Sequence, residues 1–525
     1  MQLSALFSRR TGLAVFSGFL SILIFPNWNV EILAWIVFLP LLVAIEDESL
    51  HRTFWTGWIA GFIHFAGTLY WVTVTMVLYG GLSQFFSAAM LVLLAMYLAI
   101  YLGLFCLLLR HFQQQTSFPL IVTAPVLWVA LEYVRSFFFI GFPWNLLGYC
   151  QFQTPYITQI ADVTGVYGVS FLIVFVNAGI YTIVLSKASR TSKVKAAIAF
   201  VGILGLCVGY SMKQLQAYSL DQQERITVAV IQGNIAQELK WNRQHRQQIF
   251  DTYARLSTGT LTQNPHMIVW PETAIPFIFQ YEDLPFTFHD EPHYKEQLLQ
   301  LVQNLNVPLL FGGLDIVAVP PPEQYYTLNS AFLLSPEGKI LSKYDKIHLV
   351  PFGEYVPFEK LLFFVNRLTT AIGKVHPGTT YEIMSFNDIP FGTVICFEVI
   401  FPNLVRKFVD KGARFLTTIT NDAWFGKTAA SYQHFAMVTF RAIENRVAFA
   451  RAANTGISGF IDPCGRILAE SDIFVEAALI HELPLRTTTT LYTRYGDWFA
   501  KLCLGLALAG IGYGFVKNRK TLRRG

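Results

Sequence analysis

The chain has 525 residues, 53% of them hydrophobic and only 14% charged, with a net charge of +5 and six cysteines. Soluble domains carry about 25% charged residues, so this composition argues against a wholly soluble protein. High apolar content excludes disorder, unpaired cysteine spacing excludes a disulfide scaffold, and no basic run interleaves with aromatics as a nucleic-acid partner would require.

Uncharged stretches come first in chain order and predict membrane spans. They cover Thr11–Val30, Ile32–Ile45, Gly61–Leu109, Phe118–Leu131, Val163–Ser186, Ala196–Met212 and Leu502–Val516. Gly61–Leu109 holds no Asp, Glu, Lys or Arg and has room for two spans of ~20 residues each. The shorter stretches would also suit buried core helices. Their company favours spans, because a helix satisfies its own backbone in hydrocarbon. The expectation is eight transmembrane helices, seven before about Met212 and one after about Asp497. Basic residues cluster at Arg9 and Arg10, at Lys187, Arg190, Lys193 and Lys195, and at Lys517, Arg519, Lys520, Arg523 and Arg524. Threading eight spans puts all three clusters on one side, the cytoplasmic one by the positive-inside rule, with both termini there and residues 213–496 on the opposite side. No A-x-A-like site follows the first apolar stretch, which therefore reads as an uncleaved span. Three regions are expected: 1–213 as a membrane domain of seven helices, 214–495 as an extracytoplasmic α/β domain, and 496–525 as a last span with a basic tail.

From Gln214 to Tyr495 the pattern becomes that of an α/β domain. Ile226–Ile231 reads as a strand and Gln237–Leu261 as an amphipathic helix. Met267–Trp270 and Pro308–Val317 are predicted strands, the second with Gly312-Gly313 marking a close backbone approach. Leu328–Leu334 and Ile340–Tyr344 flank a hairpin turn at Pro336-Glu337-Gly338. Phe391–Ile395 and Phe415–Ile419 are predicted strands, Phe401–Asp410 and Tyr432–Ala452 helices. Ile457–Ile461 and Arg466–Ala469 flank a second turn at Asp462-Pro463-Cys464-Gly465.

Three strand ends carry reactive side chains: Val269-Trp270-Pro271-Glu272, Tyr344-Asp345-Lys346 and Val394-Ile395-Cys396-Phe397-Glu398. Alone, each also has an ordinary structural reading, as a loop carboxylate, a solubilising lysine and a small core thiol. Together they form a chemical set. A carboxylate can take a thiol proton and return it to a leaving group, and an ammonium can steady the oxyanion formed when sulfur attacks a carbonyl. Glu272, Lys346 and Cys396 suffice for acyl transfer through a thioester.

In this order and strand context, the three blocks resemble the nitrilase superfamily of carbon–nitrogen hydrolases. With seven spans before and one after, the chain resembles that superfamily's membrane-embedded family, the apolipoprotein N-acyltransferases. Gly141-Phe142-Pro143-Trp144-Asn145 and the run from Gln159 to Gly168 add to the likeness. The resemblance implies an αββα sandwich with a Glu–Lys–Cys triad. It also implies a bacterial inner-membrane enzyme whose catalytic domain faces the periplasm. Cys396 would take an acyl chain from a membrane phospholipid, with Glu272 as base and Lys346 at the oxyanion. The chain would then pass to the N-terminal amine of a diacylated apolipoprotein, a ping-pong cycle with no metal, nucleotide or other cofactor.

Glu354 stands where the family has a further active-site glutamate that orients the lysine. Glu398 matches a family carboxylate and Trp241 a family tryptophan near the pocket. Phe397 departs from the pattern, since several members have Tyr after the cysteine. Asn421-Asp422-Ala423-Trp424-Phe425-Gly426 resembles a loop lining the site, which adds Trp424 to Phe397 as a substrate contact. Leu361 and Phe363 lie in an apolar run, Leu361–Val365, that suits either a core segment or an arm entering lipid. Glu132 and Arg135 read as a helix pair that lowers the cost of burying charge or as a headgroup contact. Cys106, Cys150, Cys207, Cys464 and Cys503 show no metal-ligand spacing, and the absence of a heptad suggests a monomer. Two other readings use the same segments: a membrane-tethered amidase in which water takes the acyl group, and a catalytically dead receptor or transporter.

Overall fold

A computed structural model describes residues 9–116, 118–139, 141–218, 224–280, 291–319, 324–355 and 375–522. The chain divides into two compact units, one of residues 1–77, 82–217 and 495–525, the other of 78–81 and 218–494.

The first unit is helical. Four of its described helices are long and apolar enough to cross a membrane: Gln84–Gln115, Leu120–Phe137, Val166–Leu185 and Arg190–Ala217. A fifth candidate is the pair Leu50–Thr68 and Trp71–Leu78, bent by 49° at a short break. The expected eight spans are therefore not all present as long helices among the described residues. Gly61–Leu109 contains the end of the helix Leu50–Thr68, the helix Trp71–Leu78 and most of Gln84–Gln115, so the first of its two candidate spans begins before it and the second ends after it. Ile32–Ile45 is broken into a short turn, Glu31–Trp35, and the helix Leu39–Ile45, with Pro40 in the second helix's first turn where its missing N–H costs nothing. Arg9–Leu23 and Trp498–Leu522 occupy the first and last uncharged stretches.

The second unit is an α/β sandwich. β1 (Arg225–Gln232), β2 (Met267–Val269), β3 (Leu309–Val319), β4 (Gln324–Leu334) and β5 (Ile340–Asp345) follow in order. β6 (Ile383–Phe386), β7 (Ile389–Ile395), β8 (Phe415–Thr420), β9 (Phe449–Ala453), β10 (Gly459–Ile461) and β11 (Ile467–Glu470) form the second sheet. β12 (Ala477–Pro484) returns to the first, giving the orders β12-β1-β2-β3-β4-β5 and β11-β10-β9-β8-β7-β6. β1 and β2 run parallel, as do β2 and β3, and β7, β8 and β9. A parallel strand is covered on both faces, so it reads as a continuous apolar run. In β1, Ala229 and Ile231 pack with Ile249, Tyr253 and Leu298 of the helices Arg246–Thr260 and Glu291–Leu305, while Val228 and Val230 are buried as well.

Two predicted helices differ. Gln237–Leu261 breaks after Lys240, because the Asn242 side chain accepts from the Gln244 N–H at 3.0 Å and restarts the chain as Arg243–His245 and then Arg246–Thr260. Tyr432–Ala452 is instead a helix over Ala429–Asn445, ended by Arg446 in a left-handed conformation (φ 48°), followed by β9. A glycine would have marked that stop; an arginine gives no such signal.

Candidate active site

The three reactive residues follow three strand ends. Glu272 lies just past β2, Lys346 directly after β5 and Cys396 directly after β7, and all three are buried. Gly312 in β3 makes the Glu272 turn possible. Its carbonyl accepts from the Ala274 N–H at 2.9 Å, and a Cβ at Gly312 would come within 2.6 Å of the Glu272 Cα. Cys396 takes a left-handed backbone (φ 52°), unusual for a non-glycine residue and characteristic of constrained functional turns.

Lys346 Nζ is 3.4 Å from Glu272 Oε1 and 2.9 Å from Glu354 Oε1. Asn329 of β4 donates from Nδ2 to both carboxylates, at 2.7 Å to Glu272 and 3.0 Å to Glu354. The second oxygen of Glu272 accepts the Asn421 N–H at 2.9 Å, which ties the first sheet to the end of β8 in the second. Glu354 also accepts the Val350 N–H at 2.7 Å.

The electrostatics assign charges. Burial pushes the Glu272 carboxyl up, but Lys346, the Asn329 amide, Lys240 and a hydrogen bond with the Cys396 thiol together bring it below its ordinary value. Burial works against the Lys346 ammonium, yet Glu354 and Glu272 outweigh it and hold the lysine above its usual range. Burial and the Glu272 charge raise the Cys396 thiol despite Lys346. The resting pair at neutral pH is therefore a thiol beside a carboxylate, so the proton leaves sulfur as attack occurs.

Glu398 accepts four hydrogen bonds: from the Tyr344 hydroxyl and Ile347 N–H at 2.7 Å each, the His348 N–H at 3.1 Å and the Ile395 N–H at 2.7 Å. Burial raises its carboxyl to about 7, with those donors opposing the rise. It clamps the segment after Lys346 to the strand end that carries the thiol. Trp241 is half-buried, next to Lys240. Phe397 is buried and packs against Phe401 and His348 at ring distances of 5.3 and 6.0 Å. Trp424 lies on the turn Asp422–Phe425, edge-on at 5.0 Å to Tyr79, one of the residues 78–81 that belong to this unit. Leu361 and Phe363 lie outside the described residues.

Three residues near these groups carry no sequence signal of their own. Asn329 sits mid-strand. Lys240 ends a four-residue helix, is 1% exposed, and donates to the Glu272 carbonyl at 3.0 Å. Burial lowers its ammonium to about 7 against the opposing pull of Glu272 and Cys396. His434 lies within a helix whose whole apolar texture reads as core. In the helical unit, Glu132 accepts the Leu147 N–H at 2.6 Å, and Arg135 donates to the Trp144 and Asn145 carbonyls at 3.3 and 3.4 Å. Both side chains hold the segment that follows their helix. Among the described residues no group of three or more His, Cys, Asp or Glu could hold a metal ion.

The chain matches known proteins along nearly its whole length. Residues 17–179 match the model of the apolipoprotein N-acyltransferase N-terminal domain, and residues 227–492 that of carbon-nitrogen hydrolases. The apolipoprotein N-acyltransferase of Geobacter metallireducens is 41% identical over 97% of this chain and 96% of its own. Those of Chlorobaculum tepidum and Pasteurella multocida are each 31% identical, over 96% and 97% of this chain and 96% of theirs. A crystal structure of an amidase from Nesterenkonia sp. is 18% identical, with a TM-score of 0.37, covering 54% of this chain and 96% of that one. Matched along nearly its whole length to relatives that carry one name, the chain belongs to the apolipoprotein N-acyltransferase family.

Proposed function

We propose that the protein moves a fatty acyl chain from a membrane phospholipid to the N-terminal amine of a diacylglyceryl-cysteine lipoprotein, by way of a thioester on Cys396. The observation that carries the reading is the convergence of a buried carboxylate, ammonium and thiol: Lys346 lies 3.4 Å from Glu272, all three are buried, and the charges of both Glu272 and Lys346 act on the Cys396 thiol.

In the first half-reaction Glu272 takes the Cys396 proton while sulfur bonds to the ester carbonyl carbon. The oxyanion faces the Lys346 ammonium, which Glu354 holds in place while accepting from the Asn329 amide. The tetrahedral centre collapses, the carbon–oxygen ester bond breaks, and Glu272 returns the proton to the departing lysophospholipid alkoxide. In the second half-reaction the acceptor amine bonds to the same carbon and gives a proton to Glu272. The carbon–sulfur bond breaks, the proton goes back to sulfur, and an amide leaves. Donor and acceptor use one site in turn, with the acyl group held on the protein between them.

The finer organisation belongs to the same proposal: 1–213 and 496–525 form eight spans of a bacterial inner membrane, both termini are cytoplasmic, 214–495 is periplasmic, and the protein acts as a monomer. The three basic clusters and the four long apolar helices support this arrangement. The test of function is turnover in detergent with labelled phospholipid and a diacylated lipopeptide. Amide formation that needs Cys396 supports transfer. Release of free fatty acid at the same rate with or without the peptide identifies a hydrolase instead.

A further inference from the structure

Behind the nucleophile lies a second buried polar cluster that the cycle above does not use. Asp422 in the turn after β8, His434 in the helix Ala429–Asn445 and Arg451 in β9 are all 0% exposed. Arg451 Nη2 donates to Asp422 Oδ2 at 2.8 Å and Arg451 Nε to the Ile457 carbonyl at 3.0 Å. The Thr420 hydroxyl donates to Asp422 Oδ1 at 2.9 Å. His434 Nε2 lies 3.2 Å from the Cys396 carbonyl oxygen, and Nδ1 lies 3.1 Å from both Arg451 Nη2 and Asp422 Oδ1.

These partners fix the imidazole's tautomer. A carbonyl only accepts, so Nε2 carries the proton of the neutral ring; Nδ1, beside both the Asp422 carboxylate and the Arg451 guanidinium, takes a hydrogen from Arg451 Nη2, which also donates to Asp422 and so bridges the two acceptors. Burial and the Arg451 charge hold the His434 ring below its ordinary value, hence neutral. Asp422 is ionised: burial opposes its charge, but Arg451 outweighs that and brings the carboxyl to about 2. The cluster is tightly fitted as well, since a Cβ at Gly456 would collide with the Asp422 carboxylate.

The bond from His434 lands on the residue with the left-handed backbone. The C=O and N–H of one trans peptide point in opposite directions. With the Cys396 carbonyl tied back to His434, the Phe397 N–H is fixed facing away from it. We propose that His434, oriented by Asp422 and Arg451, is a positioning residue for acyl transfer: it locks the Cys396–Phe397 peptide so that the Phe397 N–H donates to the acyl oxygen as sulfur attacks. This rests on the reading that Cys396 forms an acyl thioester. The ring neither gains nor loses a proton in the cycle.

The test uses the full chain in detergent with p-nitrophenyl butyrate as acylating probe, reading the burst of p-nitrophenol, alongside labelled phospholipid. His434→Gln places an amide donor near the Nε2 position, whereas His434→Asn reaches only the Nδ1 position. The burst rate constant is expected to fall about 10²–10³-fold in His434→Asn with the half-saturating ester concentration unchanged, as for loss of one oxyanion donor. His434→Gln should stay within about tenfold of wild type. Gly456→Ala, which displaces Asp422 from a position that touches no reacting group, should show the same kind of loss and carries the test if His434→Asn does not fold. An Asn variant as fast as the Gln variant, an unchanged burst in Gly456→Ala, or no burst in wild type would overturn the proposal. A burst that depends on His434 while phospholipid leaves no adduct would sustain it and refute the phospholipid reading instead.

Discussion

Lys346 Nζ and Glu354 Oε1 are 2.9 Å apart, closer than the lysine stands to Glu272, and both partners are almost fully buried. Glu354 thus takes the shorter ion pair with the ammonium and leaves Glu272, the more distant carboxylate, able to cycle its proton. Glu354→Ala should cost about 3 kcal/mol of stability, because it leaves a buried charge half-compensated. It should also let Lys346 close on Glu272 and slow acylation at least tenfold. Glu354→Gln, which keeps an oxygen for Lys346, should lose less of both. Thermal unfolding and burst kinetics on the two variants measure this.

The pH dependence of acylation follows from the charges. Glu272 must be ionised, and its carboxyl lies below the ordinary value because Lys346, Asn329 and Lys240 overcome the upward push of burial. Activity should therefore persist down through the usual glutamate range, about pH 4.3, and fail only below it. The thiol is raised by burial and by Glu272, so no resting thiolate supports the reaction at neutral pH. In Glu272→Gln the residual rate should rise about tenfold per pH unit from neutrality to beyond the ordinary thiol range, about pH 8.5. A pH-independent residual rate there would contradict the assignment of Glu272 as base.

Gly312→Ala tests the turn that presents the base. The new methyl would lie 2.6 Å from the Glu272 Cα and from the Thr273 nitrogen, so the backbone at Glu272 must move. A displacement of that kind should lower the acylation rate about 100-fold while thiol alkylation at high pH, which needs no base, stays near wild type.

Much of this was legible in the sequence because strand ends deliver the chemistry. Glu272 and Cys396 follow apolar β-branched runs, and Lys346 follows the second strand of the hairpin turned at Pro336-Glu337-Gly338, so their placement at strand ends could be read from period and punctuation. Asn329 could not be read that way: its neighbours in β4 look like any buried strand, and only the pairing of β3, β4 and β5 brings it between Glu272 and Glu354. His434 was hidden for the same reason, as a polar residue in a helix buried on all sides. The return of β12 to β1 is a non-local pairing that no local pattern announces. In the helical unit, runs without charge mark hydrophobic stretches but not their helix boundaries, so Gly61–Leu109 suggested two spans where the break falls between Leu78 and Gln84.

Glu398→Gln should be among the more damaging conservative changes. Its two oxygens accept three N–H groups and one hydroxyl, and an amide would point its own N–H₂ at one set of those donors. The expected loss is about 2–3 kcal/mol, with weaker binding of the loop that carries Lys346 seen as faster amide exchange at Ile347 and His348.

The most direct measurement is intact-protein mass spectrometry after incubation with a phospholipid of defined acyl chain. The account predicts a mass increase of one acyl group on wild type, discharged by a diacylated lipopeptide and absent from Cys396→Ala. Equal adducts on wild type and Cys396→Ala, or an adduct that the lipopeptide fails to remove, would contradict it.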